Sequence, residues 1–421
     1  MRVVLFVLSF LAVSFTASAK EIYLTADAMV DVAEGKLIEK PAIIVRDNRI
    51  VVIGRQGRLD VPEGAEIVAL EGQTIMPGFM DMHVHLSSGP ETPFFDSMGF
   101  SVPRQTVVAV KNARRTLMAG FTTVRDLGAE GYSVIGVRDG VNAGDIIGPR
   151  IYAVGPALSI TGGHCDNNFS APQKKDVAEG VADGPWAVRQ KVRENIKYGA
   201  NAIKICATGG VFSKGTKVGI QQYSLEELKA AAEEAHRRGL VIAAHAHGTD
   251  GIKAAIVAGI DSIEHVSFLD DEGVELAKKF GTFLSLDIYN TEYTLTYGKE
   301  NGVPEENINK ERQVSVRQRE SFTKAAKAGV KMVFGSDAAI YPHGDNGKQF
   351  SRMVQFGMTP MQALQAATIN SATLMKRETE LGVLREGYLA DIVAVKGNPI
   401  EDISTTEAVT FVMKDGVVYK Q

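Results

Sequence analysis

Cysteine is scarce in this chain, which has 421 residues and only two of them, Cys165 and Cys206. Two cysteines exclude the disulfide framework of a small secreted scaffold. Pairing would require their Cα atoms to lie within about 7 Å of each other, and the sequence favours two unpaired thiols. Both cysteines nevertheless lie beside polar residues, His164 and Lys204, that are candidates for a functional site.

An excess of charge is equally absent. The 46 basic residues stand against 50 acidic residues, giving a formal net charge of −4, and the chain has no like-charge block and no basic stripe. This pattern argues against nucleic acid as a partner and favours a small-molecule substrate. Internal repeats and low-complexity linkers are missing too, and the 45% apolar and 23% charged residues are typical of a globular chain.

The first nineteen residues have the pattern of a cleavable signal peptide. An early Arg2 precedes an apolar stretch from Val3 to about Phe15, and the segment ends in small residues at 17–19. The apolar stretch is shorter than the roughly 20 residues that a membrane-spanning helix needs, which disfavours a membrane anchor. We therefore expect cleavage after Ala19, a secreted or periplasmic protein, and no membrane association once the signal is removed.

The remaining chain divides into two predicted domains. Short β segments and turns fill residues 20–75 and again 377–421, which predicts a small β-sandwich domain formed by both chain ends. Residues 76–376 alternate short apolar strands with amphipathic helices, which predicts an α/β domain of the (β/α)8, or TIM-barrel, type. The predicted barrel strands are Gly78–His83, Thr122–Asp126, Ile151–Val154, Ala202–Ala207, Val241–Ala244, Ser262–His265, Thr282–Leu286 and Lys331–Ser336.

Two of the predicted helices begin with a clear signal. The segments Ser224–Glu227 and Thr359–Gln362 have the capping-box pattern, in which a hydroxyl residue is followed three residues later by Glu or Gln. Gly239 predicts the end of the first of these helices.

Lys204 occupies a position where a lysine is unexpected. It lies in an apolar run, between Ile203 and Ile205, that predicts a strand buried on both faces. Desolvating an unpaired ammonium is costly, so the side chain is driven toward its neutral form. A neutral lysine can combine with carbon dioxide to form a carbamate, which is an anionic oxygen ligand for metals. The alternative, a snorkelling or salt-bridged lysine, is the usual role of this residue type, but the flanking residues favour the ligand.

Imidazole and carboxylate side chains recur at the ends of the predicted strands. His83 and His85 are two residues apart, which points both to the same face of a strand. His245 and His265 end the fifth and sixth predicted strands, and Asp337 follows the eighth. A single histidine is more often a core or loop residue, but barrel enzymes keep their chemistry at the carboxyl ends of the strands. With the buried lysine, these side chains predict a site for two metal ions.

The motifs resemble the binuclear-metal branch of the amidohydrolase superfamily, and two of them are similar to its secreted dipeptidase subgroup. That subgroup includes Xaa-Pro and Xaa-Arg/Lys dipeptidases and is similar to ochratoxinase, which cleaves an amide to phenylalanine. The likeness runs from about Glu21 to the end of the chain. The metal motifs are Pro77–His85, Lys204, His245, Ser262–His265 and Gly335–Asp337, and the subgroup motifs are Ala207–Val211 and Tyr341–Asn346.

The resemblance implies two divalent metal ions, with zinc favoured and manganese or cobalt compatible with the same donors. A hydroxide bridging the two ions would attack the scissile carbonyl. Asp337 would accept its proton and pass it to the leaving amine. The implied ligands, ion by ion, are His83, His85 and Asp337 for the first, His245 and His265 for the second, and carboxylated Lys204 as the bridge.

Further candidates lie in predicted loops. Tyr223 precedes a predicted helix, and its hydroxyl could stabilise the oxyanion of the tetrahedral intermediate, although loop packing is an equally good interpretation. The other histidines, His236 and His247, receive no role. The candidates for binding the carbonyl or carboxylate of the substrate are His164, Ser88 and His343.

The sequence therefore predicts a metal-dependent amide hydrolase that removes the C-terminal residue from dipeptides or N-acyl amino acids, ochratoxin-like amides included. The same fold carries single-metal deaminases and imidazolonepropionases, and also cyclic-amide hydrolases such as dihydropyrimidinase. Lys204 argues against a single-metal site, which has no use for a carbamate. The complete set of ligand residues argues against a catalytically silent scaffold. The leaving residue, the acyl group, the native metal and assembly into a homo-oligomer stay open.

Overall fold

The computed structural model describes residues 21–421, and the predicted signal peptide at 1–19 lies outside them. The fold is mixed α/β. Among the described residues, no helix is both long enough and apolar enough to cross a membrane.

The strands are β1 Glu21–Asp31, β2 Lys36–Glu39, β3 Pro41–Arg46, β4 Arg49–Arg55, β5 Glu66–Pro77, β6 Phe79–Val84, β7 Phe121–Asp126, β8 Arg150–Ala153, β9 Ile203–Cys206, β10 Ile242–Ala246, β11 Ser262–His265, β12 Phe283–Ser285, β13 Ile392–Lys396, β14 Phe411–Lys414 and β15 Val417–Lys420. The α-helices are α1 Phe94–Ser97, α2 Val102–Met118, α3 Ser133–Ala143, α4 Pro185–Lys197, α5 Leu225–Arg237, α6 Thr249–Val257, α7 Asp271–Phe280, α8 Ile288–Tyr297, α9 Glu305–Ala328, α10 Lys348–Gln355, α11 Pro360–Ala366 and α12 Ile369–Leu374.

Strands from both ends of the chain share one sheet. Its order is β15-β14-β13-β5-β1-β3-β4, with β2 paired to β1. The pairs are antiparallel except for β1 with β5, which run parallel. The two chain ends are thus joined in one hydrogen-bonded sheet, and the predicted β-sandwich arrangement of this domain stays a prediction. The joining strand is β5, which pairs with β1 along its length and with β13 through residues 73–77.

Parallel strands alternate with helices in the middle of the chain. β6, β7 and β8 form one parallel sheet, and β12, β11, β10 and β9 form a second. Isolated parallel bridges join the edges of these sheets to each other and to the segment that follows α9, at Leu158–Ile205, Leu284–Met332 and Val84–Ala338. The carboxyl ends of the strands in these two parallel sheets therefore lie at the same end of the domain.

Aromatic packing joins the parallel strands to helix α10. Phe79 and Phe121 begin β6 and β7, and Phe334 and Phe350 pack against them with ring centroids 4.9 Å apart for Phe79 with Phe350 and 5.2 Å apart for Phe121 with Phe334. All four side chains are buried. Burying large apolar rings is a main source of folding free energy, so this cluster fixes the strands whose other ends carry the polar residues.

Local sequence signals agree with the structure in most places. Both capping boxes are confirmed, at Ser224 before α5 and at Thr359 before α11, and the predicted strand Ser262–His265 is β11. The eighth predicted strand, Lys331–Ser336, is wrong as a regular strand. Its Phe334 N–H donates to the Ala366 carbonyl in α11, and the Ser336 N–H donates to the Asp81 carboxylate. These contacts replace ladder hydrogen bonds.

Candidate active site

The six side chains predicted as metal ligands line a single cavity of about 460 Å³ at the carboxyl ends of the parallel strands. Five of them are buried, and the His85 side chain is 30% exposed. The remaining candidates divide, because Ser88 and His164 also line the cavity whereas Tyr223 and His343 do not.

Asp337 faces the two histidines of the first strand. Its Oδ1 atom lies 3.4 Å from His83 Nε2 and 3.4 Å from His85 Nε2. Its Oδ2 atom accepts a hydrogen bond of 2.8 Å from the Asn290 amide. Although burial acts to raise it, the nearby imidazoles hold the pKa of Asp337 well below its usual range. The carboxylate is therefore ionised and oriented.

A second group of imidazoles lies next to the first. The His245 ring centroid is 4.5 Å from that of His265 and 4.7 Å from that of His247, and His247 stacks on His265 at 4.8 Å. The sequence prediction left His247 without a role. Its spacing from His245 is the same His-x-His pattern that identified His83 and His85, and this pattern was the available signal.

These donors fit divalent metal ions. Burial lowers the pKa of His245 well below 6.5, so its ring is neutral at pH 7. Its Nε2 atom is buried and has no hydrogen-bond partner among the described residues, which is costly unless a ligand takes the lone pair. Neutral imidazole and carboxylate are the donors that zinc and similar ions take. The groups whose ligand atoms all lie within 4.8 Å of one another are His245, His247 and His265, and His83, His265 and Asp337.

Lys204 lies on β9 and is 3% exposed. Burial lowers the pKa of Lys204 to about 8, while the carboxylates of Glu264 and Asp337 oppose that shift. No salt bridge of Lys204 occurs within residues 21–421. A lysine with a pKa of about 8 is about one-tenth neutral at pH 7, far more than an exposed lysine, and the neutral form is the one that reacts with carbon dioxide.

Three of the imidazole rings have an oxygen atom near Nδ1. Glu264 Oε2 lies 3.2 Å from His83 Nδ1, Asp287 Oδ1 lies 2.9 Å from His265 Nδ1, and the Gly128 carbonyl lies 3.1 Å from His85 Nδ1. The contacts at His265 and His85 are hydrogen bonds that put the proton on Nδ1 and leave Nε2 free toward the cavity, and the nearby Glu264 carboxylate favours the same tautomer of His83. The sequence prediction missed Glu264 and Asp287, although Glu264 directly precedes His265.

The backbone is strained where two of these side chains turn into the cavity. His265 has φ 71° and Asp337 has φ 55°, both in the left-handed region that residues other than glycine seldom adopt. Strained conformations persist where surrounding contacts hold them and are concentrated at functional sites. The Asp337 N–H donates to the His83 carbonyl at 2.8 Å, which is one such contact.

His164 covers one side of the imidazole group. Its ring stacks on His245 at 4.0 Å with an interplanar angle of 24°, and its Nδ1 atom lies 2.9 Å from the Ser213 hydroxyl. A Cβ atom on Gly210 would lie 2.5 Å from both His164 Cε1 and His245 Nε2, so only glycine fits there. Ser88 lies at the mouth of the cavity and is exposed.

A disulfide attaches the loop of His164 to β9. Cys165 and Cys206 are bonded, with Cα atoms 6.2 Å apart, so the expectation of two unpaired thiols is wrong. The Cys206 N–H donates to the Leu158 carbonyl at 2.9 Å, which brings the chain after β8 alongside β9. The two cysteines are 41 positions apart in the sequence, and no local pattern reports such a contact.

Two predicted site residues lie away from the cavity. The Tyr223 hydroxyl donates to the Ala182 carbonyl at 3.0 Å, and the side chain is fully buried, so it packs a loop and does not face an oxyanion. His343 is buried as well, with Nδ1 3.2 Å from the Thr116 hydroxyl and Nε2 3.2 Å from the His85 carbonyl. Both of its nitrogens contact the protein, so His343 supports the His85 backbone and does not reach a substrate.

Comparison with known proteins agrees with this geometry. A sequence model described as the amidohydrolase family matches residues 74–420. Ochratoxinase of Aspergillus niger is 33% identical over 437 aligned positions, covering 97% of this chain and 89% of that protein. A solved structure of a Xaa-Pro dipeptidase with methionine bound in its active site has a TM-score of 0.91 at 37% identity, covering 96% of this chain and 100% of that one. A prolidase complexed with N-methylphosphonate-L-proline has a TM-score of 0.85 at 31% identity, covering 96% and 100%. The chain therefore belongs to the amidohydrolase family and is a hydrolase acting on C–N bonds.

Proposed function

We propose that this amidohydrolase removes the C-terminal residue from dipeptides or N-acyl amino acids, ochratoxin-like amides among them. The observation that carries the proposal is the buried, unpaired Lys204 in the same cavity as four predicted histidine ligands and Asp337. The relatives support the substrate class, since two are named for dipeptides that contain proline and one for ochratoxin.

The proposed catalytic domain is a (β/α)8 barrel over residues 76–376, and residues 20–75 and 377–421 form the second domain. The parallel bridges at the edges of the two parallel sheets support a closed ring of strands. The similarity to solved amidohydrolase structures supports it too. In such barrels the loops after the strands carry the catalytic groups.

Two divalent ions, most simply zinc, would be held by the predicted ligands. When bound, such ions polarise a carbonyl and lower the pKa of water. The proposed ligands are His83, His85 and Asp337 for one ion, His245 and His265 for the other, and carboxylated Lys204 between them.

The chain's own residues would perform the proton transfer and orientation. Asp337 takes a proton from the attacking water and delivers it to the leaving amine nitrogen, and Asn290 keeps the carboxylate in position through its 2.8 Å hydrogen bond. His164 and Ser88, which line the cavity, bind the carbonyl or carboxylate of the substrate. The His247 ring stacks on the His265 ring, with centroids 4.8 Å apart, and holds that ring in its orientation.

We further propose that residues 1–19 direct export and are cleaved after Ala19. The disulfide between Cys165 and Cys206 supports an oxidising compartment outside the cytoplasm.

The test combines a substrate screen with a metal count. Protein loaded with zinc is assayed against dipeptides, N-acyl amino acids and cyclic amides, and bound metal is measured per chain. Lys204→Ala should abolish turnover and lower the bound metal below about two ions per chain, and short carboxylic acids should partly restore activity by replacing the carbamate.

Lys414→Ala is the matched control. Lys414 is also a buried lysine, 7% exposed, but it lies on β14, where its ammonium donates to the Gly148 carbonyl. This variant should lose stability while metal content and activity stay unchanged. Full activity of Lys204→Ala without added acid would refute the carbamate. Preferred cleavage of cyclic amides would favour the ring-opening alternative.

A further inference from the structure

Glu311 is a carboxylate in the cavity wall that the proposed mechanism does not use. It lies on α9, is 3% exposed and lines the cavity. Val314 and Gln318 line the same cavity from the same helix. Their spacing of three and four residues puts all three side chains on one helix face. Glu311 is therefore directed toward the substrate space.

The hydrogen bonds around Glu311 leave its carboxylate without a donor of its own. Gln318 Nε2 donates to Asp287 Oδ1 at 2.9 Å and to the His265 carbonyl at 3.3 Å, which fixes the orientation of its amide. Gln318 Oε1 then accepts the hydroxyl proton of Thr291 at 2.8 Å. Thr291 also contacts Glu311, but a hydroxyl has only one proton to donate. Among the described residues Thr291 is the one donor to Glu311, and an ionised Glu311 therefore shares it with Gln318.

The negative charge of an ionised Glu311 is not balanced by a nearby cationic side chain among the described residues either. In the part of the chain that the structure describes, no lysine or arginine lies within ion-pair distance of it. Burial raises the pKa of Glu311 to about 7, and the nearby carboxylates of Asp287 and Asp337 act in the same direction, against the effects of Thr291 and His265. A buried carboxylate without a cation or a full set of donors is costly. A ligand that brings both would relieve that cost.

We propose that Glu311 is the subsite for an ammonium group of the substrate. An ammonium supplies a positive charge and three N–H donors, which are the two things that the pocket around Glu311 lacks. This inference rests on the proposed function and narrows it. The α-ammonium of the first residue is present in every free dipeptide and absent from every N-acyl amino acid. A lysine-like side chain is the other source of the same chemistry, and the test separates the two.

The test compares substrates that differ only in the ammonium group. Alanyl-phenylalanine and propanoyl-phenylalanine differ by the α-ammonium, and alanyl-lysine and alanyl-norleucine differ by the side-chain ammonium. The zinc-loaded wild type should show a higher kcat/KM for the cationic member of one pair, by about 10- to 100-fold, as expected for a charge-assisted hydrogen bond. Glu311→Gln keeps the shape and should bring that ratio close to one.

Glu130→Gln is the control variant, because Glu130 lines the same cavity but is exposed at its mouth. It should leave both ratios unchanged, since an exposed charge is screened by water. Metal content is measured for both variants. A lower ratio of kcat/KM between the cationic and uncharged substrates in Glu311→Gln, with metal content unchanged, supports the subsite. The substrate pair whose ratio falls identifies which ammonium group binds.

Equal kcat/KM values of the wild type for both members of both pairs would overturn the inference, and so would a Glu311→Gln variant that keeps the wild-type ratios, whatever its metal content. The wild-type comparison stands even if the variant does not fold, and Glu311→Met provides a second uncharged side chain. If the wild type cleaves none of the four substrates, the proposed function fails. Cleavage of all four without discrimination leaves that function intact and refutes only the role of Glu311.

Discussion

Replacing Glu264 by glutamine should weaken both metal binding and folding, because two buried groups donate to this carboxylate and the ring of His83 lies beside it. Oε1 accepts from the Arg125 guanidinium at 2.8 Å and from the Ser262 hydroxyl at 2.7 Å, and Oε2 lies 3.2 Å from His83 Nδ1. A glutamine amide has one acceptor and one donor end. It must therefore present its NH₂ group either to Arg125 or to the ring of His83.

The magnitude follows from the burial of this group. Arg125 and Glu264 are both 0% exposed, and removing one partner of such a buried ion pair costs about 3–5 kcal/mol of unfolding free energy. If the amide NH₂ faces His83, the ring must take the tautomer that carries its proton on Nε2, which cannot bind a metal. Losing such an outer contact typically costs about 10- to 100-fold in metal affinity.

The assay is competition for zinc against a chromophoric chelator, with urea unfolding measured in parallel. Glu234→Gln is the matched control, because Glu234 is also a buried carboxylate, 1% exposed, that accepts from Arg193 at 2.8 Å, but it lies on α5 and does not line the cavity. That control should lose stability without losing zinc affinity. Unchanged zinc affinity in Glu264→Gln would refute the conclusion that Glu264 orients His83.

Three further outcomes can be measured. Tyr223→Phe should keep kcat within about twofold and lower the unfolding free energy by about 0.5–1.5 kcal/mol, because its hydroxyl makes one structural hydrogen bond; a large loss of kcat would restore a catalytic role. Denatured, unreduced protein should have no reactive thiol, and replacing Cys165 and Cys206 by alanine should lower the unfolding free energy by about 2–4 kcal/mol. The ion pair with Asp261 raises the pKa of His236 above 6.5, so its contribution to stability is full below that pH and is lost as the pH rises through the folded-state pKa. Urea unfolding of His236→Gln should therefore show a deficit of up to about 1 kcal/mol in acid that vanishes in alkali, and a deficit independent of pH would exclude the ion pair as its cause.

Features that depend on neighbours in the chain could be read from the sequence. The capping boxes at Ser224 and Thr359 involve residues three apart, and the structure has both. The side-chain alternation of a strand predicted that His83 and His85 would share a face, and their rings lie 5.4 Å apart. The apolar neighbours of Lys204 predicted its burial, and it is 3% exposed. In each case the physical cause is a repeat of backbone geometry, which a sequence displays directly.

Tertiary structure alone decided which distant residues meet. Cys206 bonds with Cys165 across 41 positions, and Arg125 reaches Glu264 across 139. Tyr223 follows the predicted ligand Lys204 by nineteen positions, yet its hydroxyl is turned to the Ala182 carbonyl. Contacts of this kind depend on how strands and loops pack, and the free energy of that packing comes from many weak interactions that no short segment encodes. The sequence therefore determined which chemistry this chain could carry, and the packing of its strand ends decided which side chains face the cavity.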